Sequence, residues 1–382
     1  MNLPSEKRQK LLIVVTEDWY FVSHRLGLAK AAQRSGFDVG VAIRLGSFSD
    51  VLLKSGLHII PLKKLSRESR NPFREMAAVM ELFNIYRTWR PDIVHHVTFK
   101  PVIYGTIAAL LAGNIFRINA LAGLGFVFSS KSFKASLLRK FVKPLLTLLL
   151  RGSRSLVILQ NRDDVSLLMR IGVRESAIRL IRGAGVNLDV YTTDTVSSYP
   201  PIVMLASRLI WDKGVGDFVR IARIIKKEQK FVRFVLVGDS DSANPSAVSR
   251  SQLEEWHESG DIEWWGYRED MPQVYRMATV VCLPSTYGEG IPKTLIEAAA
   301  CGKPLVSYDV PGCREIVLDG YNGFLVKPDD LLAMVEALRV LLSNEGLRST
   351  MGVRSRKLAE TDFSDTLVYD QTLAVYREGS ST

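Results

Sequence analysis

The stretch that most restricts what this chain can fold into runs from Val280 to Gly302. Val280 to Leu283 is a short apolar run ending at Pro284, which reads as a buried strand leaving a sheet. A turn carrying Gly288 and Gly290 follows, and Pro292 stands where a first helical residue belongs, because its fixed φ and missing N–H suit that position. Leu295, Ile296, Ala298 and Ala299 supply the packing side of a short helix, and Gly302 closes it. An all-apolar strand, a glycine turn and a helix make the repeating unit of a parallel sheet covered on both faces. The backbone of Gly290, Ile291, Pro292, Lys293 and Thr294 lies at the positive end of the helix dipole, an anion site suited to a nucleotide diphosphate. Glu289 lies in the loop at the helix mouth and Glu297 inside the helix. A carboxylate repels phosphate, so Glu289 better suits sugar hydroxyls. Taken alone, the stretch is equally an ordinary strand–turn–helix unit with two solvated glutamates, so its neighbours must decide.

The same unit recurs along the chain. Leu11 to Val15 is a continuous apolar strand, a loop from Thr16 to Val22 follows, and Ser23 is placed to cap a helix running to about Ser35. Asp38 to Ile43 is the next strand, a β–α–β opening of doubly wound type whose ligands bind at the carboxyl edge. His24 near that edge is either a polar contact to a sugar or a helix histidine with no role. Pro91 to His96 is a second strand-to-loop passage, and Pro101 begins a helix reaching about Ala112, with Lys100 just before it to meet an acceptor phosphate. Alternation sends only one of His95 and His96 away from the core. His96 is the one grouped with Arg208, Lys213 and Glu289 as catalytic candidates. Another strand, Ile115 to Ala120, ends at a loop containing Gly123 and Gly125.

A chain of 382 residues exceeds one comfortable core. The expected division is an N-terminal domain over 1–190, a C-terminal domain over 200–362, and a helix over 363–382 packing back toward the first. The polar, proline-bearing stretch between Thr192 and Pro201 reads as the linker. Ile202 to Ala206 opens the second half, and Arg208 and Lys213 then fall in a strand-to-helix loop aimed at the sheet edge. A planar guanidinium and a compact ammonium together can neutralise a leaving diphosphate. The expected architecture is α/β, with two facing doubly wound halves and a cleft between their loop edges.

Composition closes off other classes. Apolar content of 47% with 24% charge describes a folded protein. Cys282, Cys301 and Cys313 are odd in number and match no metal spacing, which fits a reducing compartment. Residues 11–15 are too short for a signal-peptide core, and the longest apolar stretches fall short of a bilayer. A cytoplasmic protein on the inner leaflet of the plasma membrane is expected. Net charge of +10 implies an anionic partner, but no nucleic acid, because no stacking aromatics interleave the basic residues and no binding signature occurs. Residues 130–154 hold Lys131, Lys134, Arg139, Lys140, Lys143, Arg151 and Arg154 without one acid, interleaved with Phe133, Leu137, Leu138, Phe141 and Val142. Such a basic amphipathic segment suits an anionic membrane surface.

With these residues assembled, the C-terminal half resembles glycosyltransferase family 4, of the GT-B architecture. Ser207-Arg208 with Lys213-Gly214, Val237-Gly238, Trp265-Gly266-Tyr267, Pro284-Ser285, Glu289 with Glu297, Pro311-Gly312 with Glu315, and Gly320 to Gly323 carry the likeness in the family's order. The N-terminal half is similar to a narrower group, bacterial enzymes that extend polyprenyl-diphosphate-linked saccharides. Ser23 to Leu26, His96 to Tyr104, and Gly123 to Gly125 with Phe128 carry that part. Gly290-Ile291-Pro292 departs from the Gly-Phe-Gly common elsewhere in the family, though the narrower group often has proline there.

The resemblance implies roles. Arg208 and Lys213 bind the diphosphate of a UDP-sugar, Glu289 holds donor-sugar hydroxyls, Glu297 the ribose, and backbone at Gly266 and Tyr267 the uracil. His24, Lys100, Gly123 and Gly125 are the acceptor candidates, and the acceptor is lipid-linked. The family retains anomeric configuration and uses neither a divalent metal nor another cofactor. Asp239-Ser240-Asp241 has a metal-like spacing but sits in a Ser-rich loop after Gly238, which reads as coincidence. Two other classes fit a two-domain nucleotide-sugar fold: a UDP-sugar 2-epimerase, which needs no acceptor, and a non-catalytic membrane-surface sensor of nucleotide-sugars.

Overall fold

The computed structural model describes residues 8–67, 69, 71–113, 115–124, 143–194, 199–241, 244–288 and 290–380. They form two units. The first comprises 8–122, 143–184 and 367–380, and the second 123–124 and 185–366.

The first unit is built on β1 (Lys10–Glu17), β2 (Asp38–Arg44), β3 (His58–Pro61), β4 (Ile93–Val97), β5 (Phe116–Leu121), β6 (Ser155–Leu159) and β7 (Ile178–Leu180). Their order is β3-β2-β1-β4-β5-β6-β7, with every pairing parallel. Leu11 to Val15 are at most 1% exposed, as an apolar run covered on both faces requires.

The second unit is built on β8 (Ile202–Ala206), β9 (Arg233–Val237), β10 (Glu263–Trp264), β11 (Val280–Leu283), β12 (Leu305–Tyr308) and β13 (Gly323–Val326). Their order is β10-β9-β8-β11-β12-β13, again all parallel. The helix Val215–Glu228 shows why the layers hold. Its apolar residues recur at helical spacing, so Val215, Phe218, Val219, Ala222 and Ile225 are buried together. Phe218 meets Phe234 of β9 edge to face at 5.5 Å, and each such burial contributes about 1.5–3 kcal/mol.

Each sheet reverses its winding once, between β1 and β4 in the first and between β8 and β11 in the second. Loops leaving adjacent strands at such a point diverge and open a crevice at the carboxyl edge. Arg208, Lys213 and residues 290–292 fall on loops leaving the strands at the second reversal.

Local boundaries differ from expectation in three places. The helix after β1 starts at Asp18, not Ser23, and breaks at Arg25 before a second helix, Leu26–Arg34. Asp18 is buried and accepts the backbone N–H groups of Trp19, Gly46 and Phe48, so this carboxylate organises the turn instead of the hydroxyl of Ser23. The helix after β4 is Phe99–Ala112 and places Pro101 inside its first turn. The helix after β11 is Lys293–Ala300, with Pro292 as its N-cap and not its first residue.

Candidate functional site

At the reversal of the second sheet, two loops are locked together. Lys213 ends a 3-10 turn, Trp211–Lys213, and Gly214 follows with φ of 74°. A Cβ on Gly214 would lie 1.8 Å from the carbonyl oxygen of Pro284, so only glycine lets these loops approach. The Asp212 carbonyl accepts Thr286 N–H at 3.2 Å and the Ser285 hydroxyl at 3.2 Å. The loop carrying Arg208 and Lys213 is thereby fixed against the loop that leads into the helix Lys293–Ala300.

That helix receives no side-chain cap. Pro292 contributes no N–H, so its part in the expected anion site is to fix the chain's entry and to accept Leu295 N–H at 3.0 Å. Gly290, Ile291 and Pro292 are buried, and Lys293 and Thr294 are half-buried. Lys293 reaches forward one turn to Glu297 at 2.9 Å. Glu297 is 6% exposed and also accepts the hydroxyl of Tyr191 at 2.9 Å. Burial and the Glu297 charge push the Tyr191 hydroxyl well above its usual range, so it stays a donor. No sequence signal pointed to Tyr191, which stands 106 positions from its partner.

The neighbouring strand ends complete the edge. Gly238, after β9, donates its N–H to the Gly266 carbonyl at 2.8 Å. A Cβ on Gly238 would lie 1.9 Å from the Ser207 carbonyl oxygen, so the three loops after β8, β9 and β10 are packed at backbone distance. Gly266 faces open space and Tyr267 is exposed, available to a flat ligand. Arg208 pairs with Asp241 at 2.7 Å, with Arg208 39% exposed. Asp241 therefore has a role the sequence concealed, as counter-ion to a proposed diphosphate-binding cation. Glu289 lies outside the described residues. The edge thus gathers Arg208, Lys213, Gly266, Tyr267 and the 290–294 backbone, with Glu297 one turn into the helix.

The first sheet uses its reversal differently. Lys100 donates to the carbonyls of Ser66 at 2.9 Å and Ser69 at 2.6 Å and to Glu75 at 2.9 Å. Its three N–H groups are all taken up in holding the segment after β3, so the structure corrects the acceptor-phosphate assignment. Burial alone would raise the Glu75 carboxyl, but hydrogen bonds from Lys100, Tyr104 and Ser69 hold it below its usual range.

His96 is corrected as well. Both faces of this sheet are covered, so alternation frees neither histidine, and His95 and His96 are each at most 1% exposed. The His96 ring bonds Tyr86 at 2.9 Å and Asn119 at 2.8 Å. Burial lowers its pKa to about 4, with the Asn119 bond opposing and the Arg117 charge assisting. A Cβ on Gly105 would lie 2.4 Å from that ring, so the helix Phe99–Ala112 is notched to admit it. His96 is a core group. His24 sits in the last turn of its helix, half-buried and stacked on Tyr20 at 4.2 Å. Gly123 is described within the second unit, and Gly125 and residues 130–142 lie outside the described residues.

Comparison with known proteins follows this division. Residues 10–161 match the family described as Glycosyl transferase 4-like, and residues 200–344 match Glycosyl transferases group 1. The chain belongs to the family 4 glycosyltransferases. It is 28% identical over 366 residues to the N,N'-diacetylbacillosaminyl-diphospho-undecaprenol alpha-1,3-N-acetylgalactosaminyltransferase of Campylobacter jejuni, covering 92% of this chain and 93% of that one. It is 23% identical to the UDP-Gal:alpha-D-GlcNAc-diphosphoundecaprenol alpha-1,3-galactosyltransferase of Escherichia coli, over 79% of each chain. The fold is that of Anabaena HepE, solved in complex with UDP and glucose, at a TM-score of 0.78 and 18% identity over 97% of this chain and all (100%) of that one. This glycosyltransferase therefore has the GT-B architecture expected from its motifs.

Proposed function

We propose that this glycosyltransferase moves an N-acetylhexosamine or hexose from a UDP-sugar to a polyprenyl-diphosphate-linked saccharide at the inner membrane face, with retention of configuration and without a divalent metal. The observation that carries the reading is the loop of Arg208 and Lys213, tied through Gly214 to the loop that leads into the uncapped helix Lys293–Ala300. As the bond from the anomeric carbon to the diphosphate breaks, its electron pair passes to the diphosphate oxygen. Fixed cations and helix N–H groups stabilise that charge more than they stabilise the bound donor, which is what lowers the barrier. The acceptor hydroxyl bonds to the same face of the carbon and gives its proton to the departing oxygen. Arg208 already neutralises Asp241, so the diphosphate takes over a cation held in place by a carboxylate.

The acceptor class follows from the two relatives, whose names both specify a diphospho-undecaprenol sugar. The Escherichia coli name gives both a UDP-Gal donor and an alpha-1,3 product; UDP-galactose is α-linked, so that product keeps its configuration. Membrane association is supported by Leu148, 74% exposed between the basic residues Lys143 and Arg151. A second exposed stripe, Phe73, Met76 and Met80, follows helical spacing on the helix Pro72–Trp89, beside Arg74. No helix among the described residues is long and apolar enough to cross a membrane.

The deciding experiment incubates the chain with UDP-hexoses or UDP-N-acetylhexosamines and a polyprenyl-diphosphate saccharide in excess chelator. A lipid heavier by one sugar, α-linked, with UDP released, is expected. A β-linked product, conversion of the UDP-sugar without lipid, or a chelator block relieved by Mg²⁺ would each refute part of the proposal. For the membrane step, Leu148→Asp should reduce sedimentation with phosphatidylglycerol vesicles while leaving solution turnover on a short-chain acceptor unchanged.

A further inference from the structure

Arg25 occupies the break between the helices Asp18–His24 and Leu26–Arg34 and is 5% exposed. A guanidinium is permanently charged, and burying one without a counter-charge is costly. No carboxylate among the described residues pairs with it. Its recorded bond is a long one, 3.5 Å from an Nη to the carbonyl oxygen of His24, and its Nε–H has no partner.

Arg25 lines a small cavity at the carboxyl end of β4 to β7, with His95, Gln160 and Thr372 as the other polar walls and aliphatic side chains between them. The space is small, with about 10 Å³ open to the centre of a water-sized sphere. His95 is 1% exposed, its Nδ1 lies 2.6 Å from the hydroxyl of Tyr376, and its Nε2 has no partner. The Tyr376 hydroxyl is buried beside Nδ1; in the tautomer in which it donates to Nδ1, the His95 proton resides on Nε2. Burial first, and then the Arg25 charge, keep the ring neutral. The Thr372 hydroxyl donates away, to the Val368 carbonyl at 2.7 Å.

In that tautomer the cavity presents two unsatisfied donors, Nε–H of Arg25 and Nε2–H of His95, and one positive charge with no paired carboxylate among the described residues. We propose that it is a binding site for a monovalent anion of halide size, seated between Arg25 and His95. A water molecule would accept both hydrogen bonds but would leave the charge unbalanced. A phosphate is larger than the space. Because Arg25 stands at the joint between two helices, the ion would pin that joint to the sheet.

The test uses the full chain. Crystals grown without halide and soaked in bromide should show an anomalous peak within hydrogen-bond reach of Arg25 Nε and His95 Nε2. The unfolding midpoint in sodium chloride should exceed that in sodium gluconate of equal ionic strength by about 2 °C when chloride is in tenfold excess over its dissociation constant. Arg25→Gln should remove that difference; if this variant does not fold, the wild-type measurements decide alone. Equal midpoints with no bromide peak would show a water site and overturn the proposal. A bromide peak with equal midpoints would mark an adventitious ion only and would also count against it.

Discussion

The two sheets reverse their winding in the same way, yet the polar residues at the two reversals have opposite fates. In the second unit, the loop after β8 carries Arg208, 39% exposed, and Lys213 to the edge, with glycines at 214 and 238 removing the side chains that would hold the loops apart. In the first unit, Lys100 is bound by two carbonyls and Glu75, while His96 is enclosed by Tyr86, Asn119 and the notch at Gly105. A charged or titratable side chain beside a topological switch point is thus not a ligand contact by position alone. What separates them is exposure: Arg208 keeps 39% of its side chain in solvent while holding Asp241, whereas Lys100 keeps 24% and His96 none.

Three measurements can break or sharpen that contrast. The largest effect belongs to the second reversal: Arg208→Ala or Lys213→Ala should lower turnover about a hundredfold or more with little change in thermal stability. Turnover near wild type in either variant would remove the diphosphate role. Next comes acid. Folded His96 titrates at about 4 against an ordinary 6.5, so between those values the unfolded chain binds more protons. Its contribution is complete above pH 6.5 and is lost as pH falls, at about 1.4 kcal/mol per pH unit, until the folded state itself protonates. His95, also held neutral, acts in the same direction. A denaturation series from pH 7 to 5 tests this, and stability that is flat or rises on acidification would contradict the buried network. The smallest effect is that of Lys100→Met, which should cost about 1–3 kcal/mol by leaving the partly buried Glu75 without its cation. Turnover per folded molecule should hold in Lys100→Met; a hundredfold fall would return Lys100 to the acceptor site.

A cycle joining Arg208 and Asp241 would refine the first of these. The spacing of Asp239-Ser240-Asp241 does not identify what Asp241 does. Its partner lies 33 positions away, and only the adjacency of β8 and β9 brings them together.

The sequence alone was enough for the alternation of apolar strands with helices, the two doubly wound halves, the family, and the loops that form the second edge. Those features are local: an apolar run, a glycine, and a helix start act within a few residues of one another. That Gly214 and Gly238 mark close backbone approach, and to what, only the structure shows. Tertiary structure alone decided which polar residues are occupied. Tyr86 and Asn119 around His96, Glu75 on Lys100, Tyr191 on Glu297 and Tyr376 on His95 come from distant positions, the last 281 residues away. Hydrogen bonding is satisfied across elements that meet only when the sheets assemble, so a residue's chemistry can be named from the sequence while its availability cannot.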